Sequence, residues 1–261
     1  LALALLLAWA PPGLASAAPT AISPQDAERI GKLLWHNECA GTVEGLTSWN
    51  QGEDFASLGI GHFIWYPEGR RGPFEESFPG LVAFIQSQGA KVPEWLLRAP
   101  HCPWLDRESF LADRQSERMV SLRHFLRDTV GHQARFAARR LEQALPRMLE
   151  SVPAGRRDHV TTQFQRLSSH PHGLYCLVDY VNFKGEGIKP TERYQGQGWG
   201  LLQVLDLMEG SAPGPPALQA FSASATEVLR RRVRLSPPER HEKRWLPGWE
   251  NRCRTYLPPR D

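Results

Sequence analysis

The chain has 261 residues, 41% of them hydrophobic and 23% charged, a balance that supplies a core and excludes disorder throughout. Its formal net charge of +3 and isoelectric point of about 8.8 suit an anionic partner but fall short of the dense basic surface that marks a nucleic-acid binder, so no nucleic acid is expected. Nine Trp and eleven Phe are expected mainly in the core, with some free to stack on sugar rings.

The opening residues, from Leu1 to Ala21, read as the apolar part of a secretory signal, and Ala15-Ser16-Ala17 fits the small-residue cleavage pattern. Residues 1–17 are therefore expected to be a signal peptide and 18–261 one domain, periplasmic or secreted. The apolar run is too short to span a bilayer and is broken by Pro11, Pro12 and Gly13, and no later segment is long and apolar enough, so no stable membrane insertion is expected. Cys39, Cys102, Cys176 and Cys253 permit two disulfides in three pairings, or four buried thiols. Their wide spacing does not resemble a zinc site, and no cofactor is expected.

Ser23-Pro24 predicts a helix start, and the helix should run to about Cys39 with Gly41 as its stop. Glu38 falls on the stripe of Ile30 and Leu34, at the negative end of the helix. Burial and the helix dipole are both expected to raise its pKa, as a general acid requires. Strands are expected over 42–50 and 55–63, joined by the turn Gln51-Gly52-Glu53-Asp54, with Gly45, Gly59 and Gly61 marking bends or close approaches. Glu44 would lie in the first of these strands.

Beyond the aromatic exit Phe63, Trp65 and Tyr66, the punctuation predicts helices near 79–88, 93–98, 106–128, 132–150, 156–169 and 172–183. Met119, Leu122, Leu126 and Val130 form an apolar face, and the charged run from Arg135 to Arg147 reads as a solvated side. The loop after Phe183 carries Glu186, Glu192, Arg193 and Tyr194 before an apolar helix near Trp199. Such a loop, following Tyr180, is a candidate wall of a site. A helix over about 217–233 precedes a basic, Pro-rich tail with Trp245, Trp249 and Tyr256, which should wrap back onto the body.

Ser57-Leu-Gly-Ile-Gly-His62 resembles the T-I-G-I-G-H strand of phage-type lysozymes, in which a catalytic Glu ends a helix and a hairpin walls the cleft. The order of helix, Glu38, Gly41 and hairpin is similar from Pro24 to Phe63. Two departures stand out: Ser57 replaces the family's Thr, and Gln51 falls where its second acid would be, with Glu53 and Asp54 beside it. Glu44-Gly45-Leu46 also resembles the family's E-G-L, but Glu38 is preferred because it ends the helix. Gly200-Leu-Leu-Gln203 is similar to the G-L-M-Q element of lytic transglycosylases.

The resemblance implies a mainly α-helical α+β fold, lysozyme-like, with a small β-hairpin after the first helix. It also implies cleavage of peptidoglycan β-1,4 linkages by general acid/base catalysis. Glu38 would be the acid. Either Glu53 or Asp54 would activate water with inversion, or Glu38 would act alone and the sugar's 6-hydroxyl would close a ring. Ser57 would position water or substrate, and Glu44, Trp49, His62, Tyr180, Glu186, Tyr194 and Gln203 would contact the sugar. The alternatives are another envelope polysaccharide such as a β-glucan, or a non-catalytic glycan-binding protein with Glu38 as a structural group. A metal-dependent hydrolase using His36, His62, His170 or His172 lacks a supporting His-x-x-x-His helix.

Overall fold

A computed structural model describes residues 22–72 and 74–258, so the expected signal peptide lies outside the described residues. The protein is 63% helical with a small antiparallel sheet, a mainly-α α+β fold. Its first helix, α1 (Pro24–Cys39), begins as its cap signals dictate: the Ser23 hydroxyl oxygen accepts from Asp26 N at 3.0 Å, and Pro24 occupies the first turn. Ala27, Ile30, Gly31 and Leu34 form its buried face. Helix α1 crosses α6 (Val130–Glu150) closely at Gly31, where a Cβ would come within 2.5 Å of Val130 Cγ1.

Three short strands follow: β1 (Thr47–Ser48), β2 (Ala56–Leu58) and β3 (Phe63–Trp65), paired antiparallel in that order with Ser57 opposite both Ser48 and Ile64. The expected two-stranded hairpin is thus a three-stranded sheet, because Gly59 to His62 form a turn instead of continuing a strand. Glu44 lies in a 3₁₀ turn over Glu44–Leu46 and not in a strand.

Helices α2 (Phe78–Ser87) and α3 (Glu94–Leu97) fall where expected. The single helix expected over 106–128 is two: α4 (Arg107–Ala112), capped by Asp106, and α5 (Glu117–Asp128), capped by Ser116. Each cap oxygen accepts from the backbone three residues on, and the second interrupts the first helix's continuation. Met119, Leu122 and Leu126 form a buried face of α5, whereas Val130, expected on the same face, is buried at the start of the next helix, over Val130–Glu150.

Helix α6 packs against α1, α2, α7 (Ala154–Ser168) and α8 (Pro171–Lys184). After α8 come the short strands β4 (Arg193–Tyr194) and β5 (Gln197–Gly198), then α9 (Leu201–Leu207) and α10 (Pro215–Leu235). The tail does wrap back, but as a helix, α11 (Leu246–Arg254), that packs on α10. Pro247 sits in its first turn, where a missing N–H costs nothing. Cys253 and Tyr256 are buried, and Tyr256 meets the rings of Phe221, Tyr175 and Tyr180 at 5.3, 6.0 and 6.4 Å.

All four cysteines are buried free thiols. Among the described residues no helix is long and apolar enough to cross a membrane.

Candidate active site

Ala40 and Gly41, both at positive φ (51° and 66°), end α1 directly after Cys39 and leave Glu38 in its last turn. The Glu38 side chain is 10% exposed and has two neighbours, Arg252 and His62. Arg252 Nη2 donates to its Oε1, while His62 Nδ1 lies 3.8 Å from its Oε2. The sequence expectation for Glu38 considered only burial and the helix end; the structure adds a guanidinium from the far end of the chain.

Arg252 is itself fixed by Asp179 of α8, which is fully buried. Its Nε and Nη2 donate to the two carboxylate oxygens at 2.8 and 2.9 Å, a bidentate fork. Tyr256 Oη and Asn37 Nδ2 donate to the same carboxylate at 2.6 and 3.2 Å. Burial opposes the Arg252 charge, but Asp179 and Glu38 outweigh it and hold its pKa above the ordinary arginine value. The result is a cluster that ties α1, α8 and α11 together around one carboxyl.

His62 reaches Glu38 because of the turn that carries it. Gly59 has φ +69°, and a Cβ there would stand 2.3 Å from Gln133 Oε1. The bare glycine lets Gln133 of α6 approach, and its Oε1 accepts from Ile60 N at 3.0 Å while its Nε2 donates to Leu126 O and Thr129 Oγ1. His62 follows at φ 46°, an uncommon backbone setting for a residue with a side chain and one that recurs at functional sites. A Cβ on Gly61 would collide with the Phe63 ring at 2.7 Å. The Gly-Ile-Gly-His run is therefore a pinned turn that aims His62.

His62 lines a cleft of about 710 Å³ between the sheet, α6, and α8 with its following loop. Ser57, Glu53 and Glu186 line it as well. Glu53 Oε2 accepts from Asn50 Nδ2 at 3.1 Å, and Glu186 pairs with Arg147 at 2.9 Å. The structure thus gathers Ser57, His62, Glu53 and Glu186 on one surface; Glu38 does not line the cleft itself and stands behind His62.

The other candidates lie elsewhere. Asp54 is 70% exposed, pairs with Arg70 at 3.0 Å and is not among the cleft residues. Glu44 is exposed in its 3₁₀ turn. Trp49 is buried against Phe110, with its indole N–H donating to Glu53 O at 2.7 Å. Tyr180 is fully buried and donates to Trp199 O, whereas the Tyr194 hydroxyl donates to Glu242. Gln203 holds a loop: its Oε1 accepts from Gly200 N and its Nε2 donates to Gly187 O. These four polar tips are spent on internal hydrogen bonds, a commitment that residue type alone does not reveal.

Sequence reading missed Arg252, Asp179, Gln133, Arg140 and Arg147. Asp179 carried a signal, a lone carboxylate inside the apolar run Leu177-Val178-Asp179-Tyr180. Two of the other candidate histidines have local roles: His170 Nδ1 caps α8 by accepting from His172 N, and His172 Nε2 meets Thr255 O at 3.0 Å. Among the described residues no three His, Cys, Asp or Glu side chains converge as a metal-ligand group. Comparison of the chain with protein-family models, curated proteins and solved structures returns no match.

Proposed function

We propose that the protein is an exported glycan-cleaving enzyme of the lysozyme type, acting on the β-1,4 linkages of peptidoglycan with Glu38 as general acid. One observation carries the reading: a nearly buried carboxyl at the end of α1 touches the histidine of a pinned Gly-Ile-Gly-His turn, and that histidine lines a cleft of about 710 Å³. Arg252 donates to Oε1, so Oε2, the oxygen that faces His62, is the one from which a proton would be donated. As the glycosidic bond breaks, that proton passes to the leaving oxygen and positive charge develops on the sugar ring.

The step after bond breaking depends on Glu53. It lines the cleft, whereas Asp54 is spent on Arg70, so Glu53 is the group to activate a water on the opposite face and give hydrolysis with inversion. If Glu53 does not reach the reacting carbon, the ionised Glu38 takes the proton of the sugar's 6-hydroxyl, which closes an anhydro ring. Ser57, on the cleft wall, orients the water or that hydroxyl.

A second reading draws on the Arg252 contact. Glu38 would then serve as the anchor of the C-terminal helix, and the cleft would bind glycan without cleaving it. Digestion of peptidoglycan, chitin and β-glucan, with the soluble products identified by mass, separates these readings. Anhydro ends from peptidoglycan support ring closure and reducing ends support hydrolysis. Products from β-glucan alone would move the substrate to another polysaccharide, and no products from any of them would favour the binding role.

A further inference from the structure

Helix α6 turns a continuous stripe toward the cleft, with Ala137, Arg140, Leu141, Ala144 and Arg147 at the spacing of one helical face. The run from Arg135 to Arg147 was expected to be a solvated side, yet two of its arginines stand on the cleft floor. Arg140 and Arg147 are two turns apart, about 10 Å along the axis at 1.5 Å per residue. Between them the floor is formed by the apolar Leu141 and Ala144, with Gln143 at its edge.

Each guanidinium reaches a different wall. Arg140 Nη2 meets Glu75 Oε2 at 3.4 Å on the side of the sheet, and Arg147 Nη2 meets Glu186 Oε1 at 2.9 Å on the loop after α8. Glu75 is 78% exposed, and pairs this open to water contribute little to stability. A guanidinium carries five N–H donors in a fixed fork, so one contact through Nη2 leaves it able to take a second carboxylate or to exchange the first. The two glutamates hold the forks across the cleft, Glu75 from an open position and Glu186, 25% exposed, from a more covered one.

We propose that Arg140 and Arg147 are a two-point reader for a glycan that carries a carboxylate on every second sugar. The proposal rests on the reading of the cleft as a glycan site. A strand lying along α6 spans about one disaccharide between the two arginines, so acids on alternate sugars meet the guanidiniums in register, whereas a neutral glycan offers them nothing. Leu141, Ala144 and Gln143, between the arginines, face the intervening sugar. The acid can be a carboxylate on a ring substituent or one on a peptide attached to it; both offer the same bidentate acceptor.

The test is a calorimetric titration in a Glu38→Gln background, which prevents turnover, after a melting curve has established that each variant is folded. The probes are amidase-treated peptidoglycan strands with free carboxylates on the ring substituent, peptide-bearing fragments of the same length, and neutral chitin oligosaccharides. Arg140→Gln and Arg147→Gln should each weaken binding of an acid-bearing probe about tenfold, the scale of one charge-assisted hydrogen bond, and leave chitin affinity unchanged. Loss on the amidase-treated strands assigns the acid to the ring substituent, and loss only on the peptide-bearing fragments assigns it to the peptide. Equal affinity of the parent protein for acidic and neutral probes, or equal loss on both in the variants, overturns the proposal while leaving the glycan site intact. Failure of every probe to bind overturns the glycan reading and this proposal with it.

Discussion

Arg252 of the last described helix grips the buried Asp179 of α8 through two hydrogen bonds of 2.8 and 2.9 Å, and the same Nη2 also reaches Glu38. A residue 214 positions downstream in the chain thus closes the environment of the candidate acid. The C-terminal helix is part of the site as well as part of the core.

Arg252→Met would leave Asp179 buried without its counter-charge. Breaking a buried pair by removing one partner costs about 3–5 kcal/mol, and urea unfolding should register a loss of that size. A loss below about 1 kcal/mol would mean that the pair does not secure the C-terminal helix.

Gly59 and Gly52 both have positive φ, but only Gly59 faces an obstacle: a Cβ there would meet Gln133 Oε1 at 2.3 Å, whereas nothing lies within 4 Å at Gly52. Gly59→Ala should therefore destabilise by about 2–3 kcal/mol and Gly52→Ala by about 1 kcal/mol, the cost of the backbone setting alone. Thermal melts of the two variants check the difference, and equal shifts would contradict the account of the pinned turn.

The hairpin shows what the sequence disclosed and what it hid. Local chemistry was legible: Ser23 and Gly41 mark both ends of α1, and the glycines after Ser57 announce a close approach. The identity of the approaching group was not, because Gln133 lies 73 residues further along. The unbroken polar and apolar pattern over 106–128 masked the cap at Ser116, and Pro247-Gly248 made a real helix look irregular. Tyr180, Tyr194 and Gln203 have the chemistry of sugar contacts but are bound internally, a fact that depends on tertiary partners.

Burial pushes the Cys39, Cys102 and Cys253 thiols up to about 12 and Cys176 well above the ordinary thiol value, so none supplies a thiolate near neutral pH. Native protein should not react with Ellman's reagent at pH 8, and urea should release four equivalents without reductant. Fewer than four would reveal a disulfide.

Lys184 of α8 lies with its Nζ 3.9 Å from the Phe183 ring centroid and 3.6 Å from that of Trp249. Burial, with Arg232 and Arg252 nearby, pushes its pKa down to about 7 from an ordinary 10.5. Between those values the unfolded chain binds a proton that the folded protein lacks, so stability rises with pH across that window; below about 7 the penalty of the buried charge is present in full. From pH 7 to 9 the parent protein should gain about 2 kcal/mol over a Lys184→Met variant. Parallel pH profiles would contradict this.

The most direct test of the central claim is turnover of isolated peptidoglycan by the Glu38→Gln variant, set beside its affinity for the same glycan and its melting temperature. A folded variant that binds but releases no soluble products, against a parent protein that does release them, is the predicted result. Undiminished products from the folded variant would contradict the assignment of Glu38 as the acid and turn attention to Glu53 and Glu186, carboxylates that line the cleft.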